Sequence, residues 1–261
     1  MPEKDFEVRV VVWDTEDVKV MDVEDVSDVF IKCHIDDKDK RETDCHYRCQ
    51  EGKASFNYRL LYDIKAPRHD YKFTMQTWDR DLFKSNDFIG EVQIDLKPLF
   101  EDALVMKNTI SLSKKYYDSF LSSRSTDLKE KHIKFYDEDS FYIDTLDADG
   151  KFAGRVRLTI HVVPKELANK NAVGQGRSEP NHSPFCPPPV GRISFTMNPI
   201  EMFVSIEMLI NIVLICGSKD EKEDIFVLLF GTLLDNVHID IPYYIQRYHF
   251  TRYCGYVLKD Y

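Results

Sequence analysis

Three aspartates follow one predicted strand closely enough to bind a metal ion together. Residues 71–78 alternate apolar and polar side chains up to Trp78, and carboxylates follow at Asp79, Asp81 and Asp87. A further predicted strand, 88–96, closes this loop. Carboxylate oxygens are the ligands that Ca²⁺ prefers, and the ion takes roughly six to eight oxygen ligands. The sequence therefore predicts a calcium-binding loop after residue 78.

A separate acidic loop precedes the predicted strand 30–35. It carries Asp22 and Asp28, and the two loops together would supply five carboxylates. A single loop aspartate is most often a solvated turn residue, because its side chain hydrogen-bonds its own backbone. The calcium hypothesis depends on the joint pattern of both loops. The predicted metal ligands are Asp22, Asp28, Asp79, Asp81 and Asp87.

Apolar side chains lie beside both groups of aspartates. Burial of such residues in a bilayer is favourable, and a basic residue next to them can contact lipid headgroups. The alternative is ordinary packing within the loops. The predicted membrane-contacting residues are Val23, Val26, Leu82, Phe83 and Lys84.

Bulk composition limits the classes of partner. The 261 residues carry a net charge of −10, which argues against nucleic acid as a partner because phosphate binding needs a basic face. A bound cation could still reverse the local sign and allow contact with an anionic phospholipid membrane. The six cysteines show no CxxC pair, so neither a disulfide framework nor a zinc site is expected. The charged N-terminal residues predict no signal peptide.

Short alternating strands between residues 7 and 163 predict an all-β sandwich. Further strands are predicted at 43–47 and 56–62. A polar, Lys- and Ser-rich excursion over about 101–150 interrupts the series, and 154–163 closes it with clear alternation. The acidic run 147–150 lacks the terminal Glu of an EF-hand loop, so it is interpreted as a turn into the last strand.

The composition changes after residue 164. Gly and Pro are frequent over 164–192, which predicts a linker or an extended arm rather than a packed element. Two apolar segments follow, 200–216 and 225–234, and the first contains Glu207. A charged residue is costly in a bilayer, so a spanning helix, an interfacial or re-entrant hairpin and a buried helical pair all stay open. The predicted division is 1–165, 166–199 and 200–261.

Several of these runs resemble known families. The two acidic loops resemble those of a C2 domain. The arm 171–181, with Gly191-Arg192 and 195–199, resembles the segment that joins the last C2 domain of a ferlin to its C-terminal anchor. The runs 27–30, 56–59 and 147–156 agree with the same family.

The ferlin resemblance covers about residues 7–205 and implies a definite fold and role. It implies an eight-stranded antiparallel sandwich of C2 type that binds membrane in a calcium-dependent way. It also implies action in membrane fusion, vesicle trafficking or plasma membrane organisation and repair, with membrane-fusion proteins as partners and the C2 domain on the cytoplasmic side. Ferlins are tandem arrays with one uninterrupted anchor helix, whereas this chain has room for one C2 domain and a charged break at 218–224.

Two other functions compete with this one. A calcium-independent protein-interaction domain, tethered to membrane by its tail, would explain the same sandwich. An enzyme is not expected, because no Gly-x-Ser-x-Gly, His-Glu-x-x-His or P-loop motif occurs in the sequence.

Overall fold

The computed structural model describes residues 3–20, 26–81, 85–121, 132–178 and 180–192. The β-strand is the dominant element, and the strands pair antiparallel. In the described residues the strands are β1 Lys4–Glu16, β2 Val26–His34, β3 Arg41–Glu42, β4 His46–Gln50, β5 Ser55–Ala66, β6 Lys72–Asp79, β7 Asp87–Asp95, β8 Ile110–Ser111, β9 Ile133–Phe135, β10 Phe141–Leu146 and β11 Phe152–Pro164.

Short helices follow β7, β8 and β11. The first has a proline in its opening turn and ends at Lys107, whose left-handed φ of 52° terminates it. The hydroxyl of Tyr116 donates a hydrogen bond to the Asp102 carboxylate at 2.6 Å, which ties the second helix to the first. The helices are α1 Lys97–Met106, α2 Lys114–Tyr116, which continues into one π-helical turn Tyr117–Leu121, and α3 Lys165–Lys170.

Eight strands of the described chain form one hydrogen-bonded path in the order β3-β2-β6-β7-β10-β11-β1-β5. The short strands β4, β8 and β9 pair with β2, β11 and β10. The two ends of the path meet, since the Tyr62 hydroxyl of β5 donates to the Cys33 carbonyl of β2 at 3.0 Å. The sheet therefore folds over on itself around one core, and the predicted antiparallel all-β fold is confirmed.

The core draws on both halves of this folded sheet. Val10 of β1, Ile31 of β2 and Ile160 of β11 are fully buried. Phe100 of α1 packs edge-on against Phe6 of β1, with 5.4 Å between the ring centroids. Phe100 thereby covers the end of the core next to α1.

The strand assignments differ from the sequence prediction at β4 and at the unpredicted strands β3, β8, β9 and β10. The predicted strand 43–47 is β4, His46–Gln50, because Thr43 instead exchanges hydrogen bonds with Ile31 of β2 at 2.9 and 3.1 Å. The polar excursion also contains β10, whose residues Phe141 and Ile143 are fully buried. Its charged surroundings conceal this short apolar run when composition alone is considered.

Antiparallel pairing brings both acidic loops to the same end of the sandwich. There β1 connects to β2, β6 connects to β7, and β10 connects to β11 through the turn at 147–151. As predicted, that acidic run forms a turn into the last strand, with a hydrogen bond from the Asp147 N–H to the Lys151 carbonyl at 2.8 Å. We call this end the acidic end, and the strand termini that mark it are Glu16, Val26, Asp79, Asp87, Leu146 and Phe152.

The first part of the β1–β2 connection is fixed by two glycines. Val18 donates its N–H to the Gly52 carbonyl at 3.3 Å, and the next N–H, of Lys19, reaches the Ala153 carbonyl at 3.1 Å. A Cβ on Gly52 would lie 2.3 Å from the Val18 carbonyl oxygen, and one on Gly154 would lie 2.6 Å from the Val18 Cα. Only glycine permits this close approach of three backbone segments.

The Pro- and Gly-rich arm lies extended along β5. Arg59 and Gly176 exchange backbone hydrogen bonds of 3.0 and 2.8 Å, which form an isolated antiparallel bridge. Gly176 has a φ of +71°, and an added Cβ would lie 3.1 Å from the Tyr58 ring. The arm thus covers the outer edge of β5, the terminal strand of the path.

The Arg59 side chain binds the arm through three of its backbone carbonyl groups. It is fully buried and donates to the arm carbonyls of Gly174 at 3.4 Å, His182 at 3.1 Å and Pro184. Burial lowers the pKa of Arg59 because it disfavours the charged form. The carbonyl oxygens offset this cost with their dipoles, so the arm supplies the solvation that the buried guanidinium has lost.

A second set of contacts holds the end of the arm. Arg192 donates to both oxygens of Asp44 at 3.1 Å and to the carbonyls of Ser55 and Cys45, and Arg177 also pairs with Asp44. Burial alone would raise the pKa of Asp44, and the hydrogen bonds with the two arginines outweigh it and hold the pKa below its usual value. The arm is therefore extended, as predicted, and docked rather than free.

The structure leaves two predictions about the chain untested. The boundaries at 165/166 and 199/200 stay predictions, and residues 193–261, which include the predicted apolar tail, lie outside the described residues. Within the described residues no helix is long and apolar enough to cross a lipid bilayer.

Replacing Arg59 by lysine is expected to release the arm. An ammonium group cannot reach three carbonyls in the planar geometry of a guanidinium, so we expect a loss of about 2 to 4 kcal/mol in unfolding free energy. Limited proteolysis should then cut within 171–192 before the sandwich unfolds. Arg68→Lys is the matched control, because Arg68 pairs with Asp36 near the surface and its replacement should cost about 1 kcal/mol or less. Equal protease resistance of the two variants would contradict this role of Arg59.

Candidate metal and membrane site

The first pair of predicted ligands is joined by a hydrogen bond. Asp79 ends β6 opposite Val29 of β2, and its side chain is 3% exposed. The Asp28 backbone N–H donates to Asp79 Oδ1 at 2.7 Å. Because the bond is short and charge-assisted, it compensates the burial of the carboxylate and fixes Asp28 next to Asp79.

Asp28 is oriented in turn by β4. Its Oδ1 accepts the backbone N–H of Arg48 at 2.7 Å, and its carbonyl accepts the N–H of Arg80 at 2.9 Å. The β2–β4 register shifts between Ser27 and Val29, and Arg48 has a φ of 52°. This irregularity turns the Arg48 N–H towards the aspartate, as β-bulges beside functional sites often do.

The other two described aspartates belong to the β6–β7 loop. Asp87, the first residue of β7, is the register partner of Asp79 in the antiparallel β6–β7 ladder. The Asp81 N–H donates to Asn86 Oδ1 at 3.2 Å, which draws the two sides of the loop together. The structure therefore brings Asp28, Asp79 and Asp87 to neighbouring strand ends, with Asp81 two residues beyond Asp79.

An aromatic and basic frame supports the strand ends. The rings of Trp78 and Phe88 meet edge-on at 5.5 Å, and Lys32 Nζ lies 5.0 Å from the Trp78 ring centroid. Arg80 stacks on Phe30 at 4.5 Å and pairs with Glu42 at 3.0 Å. These contacts hold the ends of β2 and β6 in place while leaving basic groups near the carboxylates.

The negative potential of the site reaches two buried thiols. Burial raises the pKa of Cys45 to about 12, and the Asp28 carboxylate adds to the shift. Burial likewise raises the pKa of Cys49 to about 11, with contributions from Asp79 and Asp28. Both cysteines are therefore protonated and unreactive at neutral pH. Burial is the main cause of their raised pKa values, and the neighbouring carboxylates add to it.

The described residues supply part of a calcium site. All the candidate donors are carboxylates, which is the chemistry that a hard cation requires. In the described ranges, however, no group of three or more His, Cys, Asp or Glu residues is assembled closely enough to hold a metal ion. The backbone of Val26 pairs with Gln50 at the start of β2. The predicted residues outside the described ranges are Asp22, Val23, Leu82, Phe83 and Lys84.

Three residues of this region were missed by sequence reasoning. Arg48 acts through its backbone N–H, and a backbone donor has no sequence signature. Asn86 precedes Asp87, and its preference for turns was a usable signal for loop closure. His46, only two residues before Arg48, links the region to the arm.

His46 is held in one tautomer by two backbone groups. Its Nδ1 accepts the Ser55 N–H at 2.8 Å, so its Nε2 carries the proton and donates to the Gly191 carbonyl at 3.1 Å. Burial lowers the pKa of His46, and the Arg192 guanidinium adds to this effect, while Asp44 opposes it. The imidazole is therefore neutral at neutral pH, and protonation of Nδ1 would break its bond with Ser55.

Acid is expected to weaken the fold through this histidine. The pKa of His46 lies lower in the folded state than its unfolded value of about 6.5, so the unfolded state binds more protons as the pH falls. Stability should be complete above about pH 6.5 and should decline below it. Urea unfolding as a function of pH measures this slope. Burial also lowers the pKa of His161, so His46→Asn, which keeps an acceptor for Ser55, should reduce this slope without abolishing it, whereas the exposed control His69→Asn should leave it unchanged. Identical slopes in all three proteins would contradict the assignment.

Comparison with known proteins defines the class of this fold and site. Residues 6–112 match the family model of the C2 domain. The relatives include mouse myoferlin, 28% identical over 71% of this chain, Xenopus tropicalis myoferlin, 28% identical over 71%, and Toxoplasma gondii ferlin 1, 26% identical over 70%. These matches cover 10%, 11% and 11% of the respective relatives, so the chain spans about a tenth of their length.

The sandwich therefore has the fold of a C2 domain, and the strand termini Val26, Asp79 and Asp87 lie at its acidic end. The predicted resemblance to ferlins is confirmed: over about 70% of its length the chain is 26–28% identical to myoferlins and to ferlin 1.

Proposed function

We propose that this protein is a calcium-dependent phospholipid-binding module of a ferlin-like protein. The observation that carries the proposal is the placement of Asp28, Asp79 and Asp87 at adjoining ends of β2, β6 and β7. Asp81 follows in the same loop, and Asp22 belongs to the loop that leads into β2. The same five carboxylates were selected from the sequence because their oxygens suit Ca²⁺.

The chain's own residues would convert calcium binding into membrane binding. Without a cation, the neighbouring carboxylates repel one another and an anionic surface repels them all. Calcium, when bound, supplies positive charge and coordination positions for lipid phosphate oxygens. The apolar loop residues would then enter the headgroup region, with Lys84 beside the headgroups. These loop residues are Val23, Val26, Leu82 and Phe83.

The wider role follows from the ferlin relation. We propose a membrane-associated protein with its C2 domain on the cytoplasmic side of a vesicle or the plasma membrane. There it would act in membrane fusion, vesicle trafficking or membrane organisation and repair, with membrane-fusion proteins among its partners. The similarity to myoferlin and to ferlin 1 supports this proposal.

Removing two carboxylates should abolish the response to calcium and keep the fold. In Asp79→Asn with Asp81→Asn, the amide oxygen introduced at position 79 can still accept the Asp28 N–H, so unfolding in chelator should change by about 1 kcal/mol or less. Calcium at about a hundredfold its Kd should stabilise the parent by about 2.7 kcal/mol, roughly 5 to 10 °C in Tm, and should leave the variant unchanged. Thermal unfolding with calcium and with chelator measures both effects.

The matched control changes two aspartates with the same spacing at the opposite end of β2. Asp37→Asn with Asp39→Asn removes the same charge from an exposed turn that pairs with Lys40 and Arg41. It should keep the full calcium-induced rise in Tm. A rise of the same size in the parent, the control and the Asp79/Asp81 variant would sink the calcium assignment.

A calcium-independent protein-interaction domain is the second candidate. Its supporting observation is that the described residues by themselves assemble no group of three metal-binding side chains. The arm, as far as residue 192, is also held against the sandwich by Arg59 and Arg192. This candidate gains if calcium leaves the Tm of the parent unchanged while the protein still sediments with membranes.

The apolar tail is expected to associate with membrane in the absence of calcium. Its two apolar segments, 200–216 and 225–234, were predicted from the sequence to be too hydrophobic for an exposed surface. Carbonate extraction of cell membranes measures the association. The full chain should stay in the pellet and a variant ending at Val163 should be released. Equal release of both would assign membrane contact to the calcium loops alone.

A further inference from the structure

The arm carries a run of three prolines between two exposed apolar residues. Pro187, Pro188 and Pro189 follow one another, Phe185 stands two residues before the run, and Val190 directly follows it. Phe185 is 64% exposed and Val190 is 73% exposed. We call residues 185–190 the proline segment. It contains none of the candidate calcium ligands and none of the loop residues selected for membrane contact.

The prolines fix the conformation of the proline segment. A proline ring holds φ at about −65°, and it restricts the residue before it to extended backbone. Each of residues 186–189 is a proline, or precedes one, or both. The run is therefore a polyproline II helix, which has about three residues per turn and no internal hydrogen bonds. Gly191, with a φ of +68°, ends this conformation.

The burial of the proline segment follows the same threefold spacing. Residues three apart lie along one edge of a polyproline II helix. The edge that faces the sandwich holds Cys186, which is 1% exposed, and Pro189, which is half-buried. A second edge holds the exposed residues Phe185 and Pro188, and the third ends at the exposed residue Val190. Two of the three edges are therefore turned towards solvent.

Backbone hydrogen bonds hold the proline segment in place. Asn181 Oδ1 accepts the Cys186 N–H at 2.8 Å, and Asn181 Nδ2 donates to the Cys186 carbonyl at 2.6 Å. From β5, Asn57 donates to the Pro188 carbonyl at 3.2 Å, and Ser55 accepts the Val190 N–H at 3.1 Å. Because the segment is already ordered, a partner that bound it would lose little conformational entropy.

We propose that the proline segment is a docking site for a protein domain whose aromatic-lined groove takes a polyproline II helix. Such grooves recognise a preformed helix through residues three apart, which is the spacing of Phe185 and Pro188. The exposed edges would lie against the aromatic rings, and a tryptophan indole N–H or tyrosine hydroxyl in the groove would donate to carbonyl groups of the segment. The docking site goes beyond the membrane-binding function and shares no residue with it.

The chemistry of the segment favours an aromatic groove over other occupants. Residues 183–191 carry no charged side chain, and the next residue, Arg192, is paired with Asp44, so the groove needs no complementary charge. Three successive prolines offer no backbone N–H, so a partner strand could not pair along the run. A bilayer is also a poor occupant. A polyproline II helix makes no internal hydrogen bonds, and hydrocarbon would leave its carbonyl groups without donors.

Isothermal titration calorimetry of the full chain tests the docking site. The probes are three recombinant domains that bind polyproline helices in aromatic-lined grooves, one each of the SH3, WW and EVH1 classes. We expect at least one of them to bind the parent, with the same Kd in calcium and in chelator. Binding by none of the three would overturn the proposal.

Two variants of the proline segment should weaken that binding. Phe185→Ser with Val190→Ser removes the exposed apolar side chains and should raise the Kd about tenfold. Pro188→Ala keeps the carbonyl that Asn57 binds but removes an exposed ring and loosens the helix, so it should also raise the Kd. The matched control is Val105→Ser with Met106→Ser, which removes two exposed apolar side chains of α1 and should leave the Kd unchanged. Unchanged protease resistance of the arm shows that each variant stays docked.

The Arg59→Lys variant distinguishes a segment that the docked arm presents from one that it hides. Because docking holds the segment in its bound conformation, release of the arm should not tighten binding. Tighter binding in Arg59→Lys than in the parent would overturn the proposal, as would a Kd that neither variant of the segment changes. Vesicle binding in chelator that the Phe185/Val190 variant loses, with no groove domain bound, would assign the segment to a bilayer instead. Groove binding that persists in the Asp79/Asp81 variant supports a docking site separate from the calcium loops.

Discussion

The hydrogen bond from the Asp28 backbone to the buried carboxylate of Asp79 is the contact on which the acidic end depends. Asp79 is 3% exposed, and a buried carboxylate is costly unless donors compensate it, so the Asp28 N–H stabilises the end of β6. Asp28 in turn accepts the Arg48 N–H, which draws β4 to the same corner. Two backbone donors, the N–H groups of Asp28 and Arg48, therefore join the ends of β2, β4 and β6 where two of the candidate ligands lie.

The sequence predicted which residue types lie at the acidic end better than it predicted the strand pairing that positions them. Alternating residues identified β6 and β7, and the run Trp78-Asp79-Arg80-Asp81 showed that carboxylates would follow. The shifted start of β4 was not visible, because Thr43 bonds to Ile31 only after the chain has folded back. The donor from Arg48 was equally hidden, since a backbone N–H is the same in almost every residue type. The local sequence pattern indicates which functional groups are present, whereas the pairing of distant strands decides where those groups lie.

The arm shows how composition can indicate a conformation and misjudge its environment. Frequent Gly and Pro over 164–192 predicted an extended segment, which is correct for 171–192, whereas Lys165–Lys170 forms the helix α3. They gave no indication that buried guanidinium groups would hold it, because the partners of Arg59, Arg177 and Arg192 are distant in sequence. Arginine suits this task, since its planar group donates to several carbonyls at once. The glycines serve the same docking, as the φ of +71° at Gly176 demonstrates.

The segment from Asp44 to Arg48 connects the docked arm with the acidic end. At one side Asp44 and His46 bind Arg192 and the Gly191 carbonyl, and two residues later the Arg48 N–H orients Asp28. β4 pairs with β2 on both sides of the shifted register, at Cys49 and at His46. Any free energy by which the docked arm favours a ligand at Asp28 equals the free energy by which that ligand favours the docked arm. The segment from Asp44 to Arg48 therefore contributes both to the docking of the arm and to the orientation of Asp28.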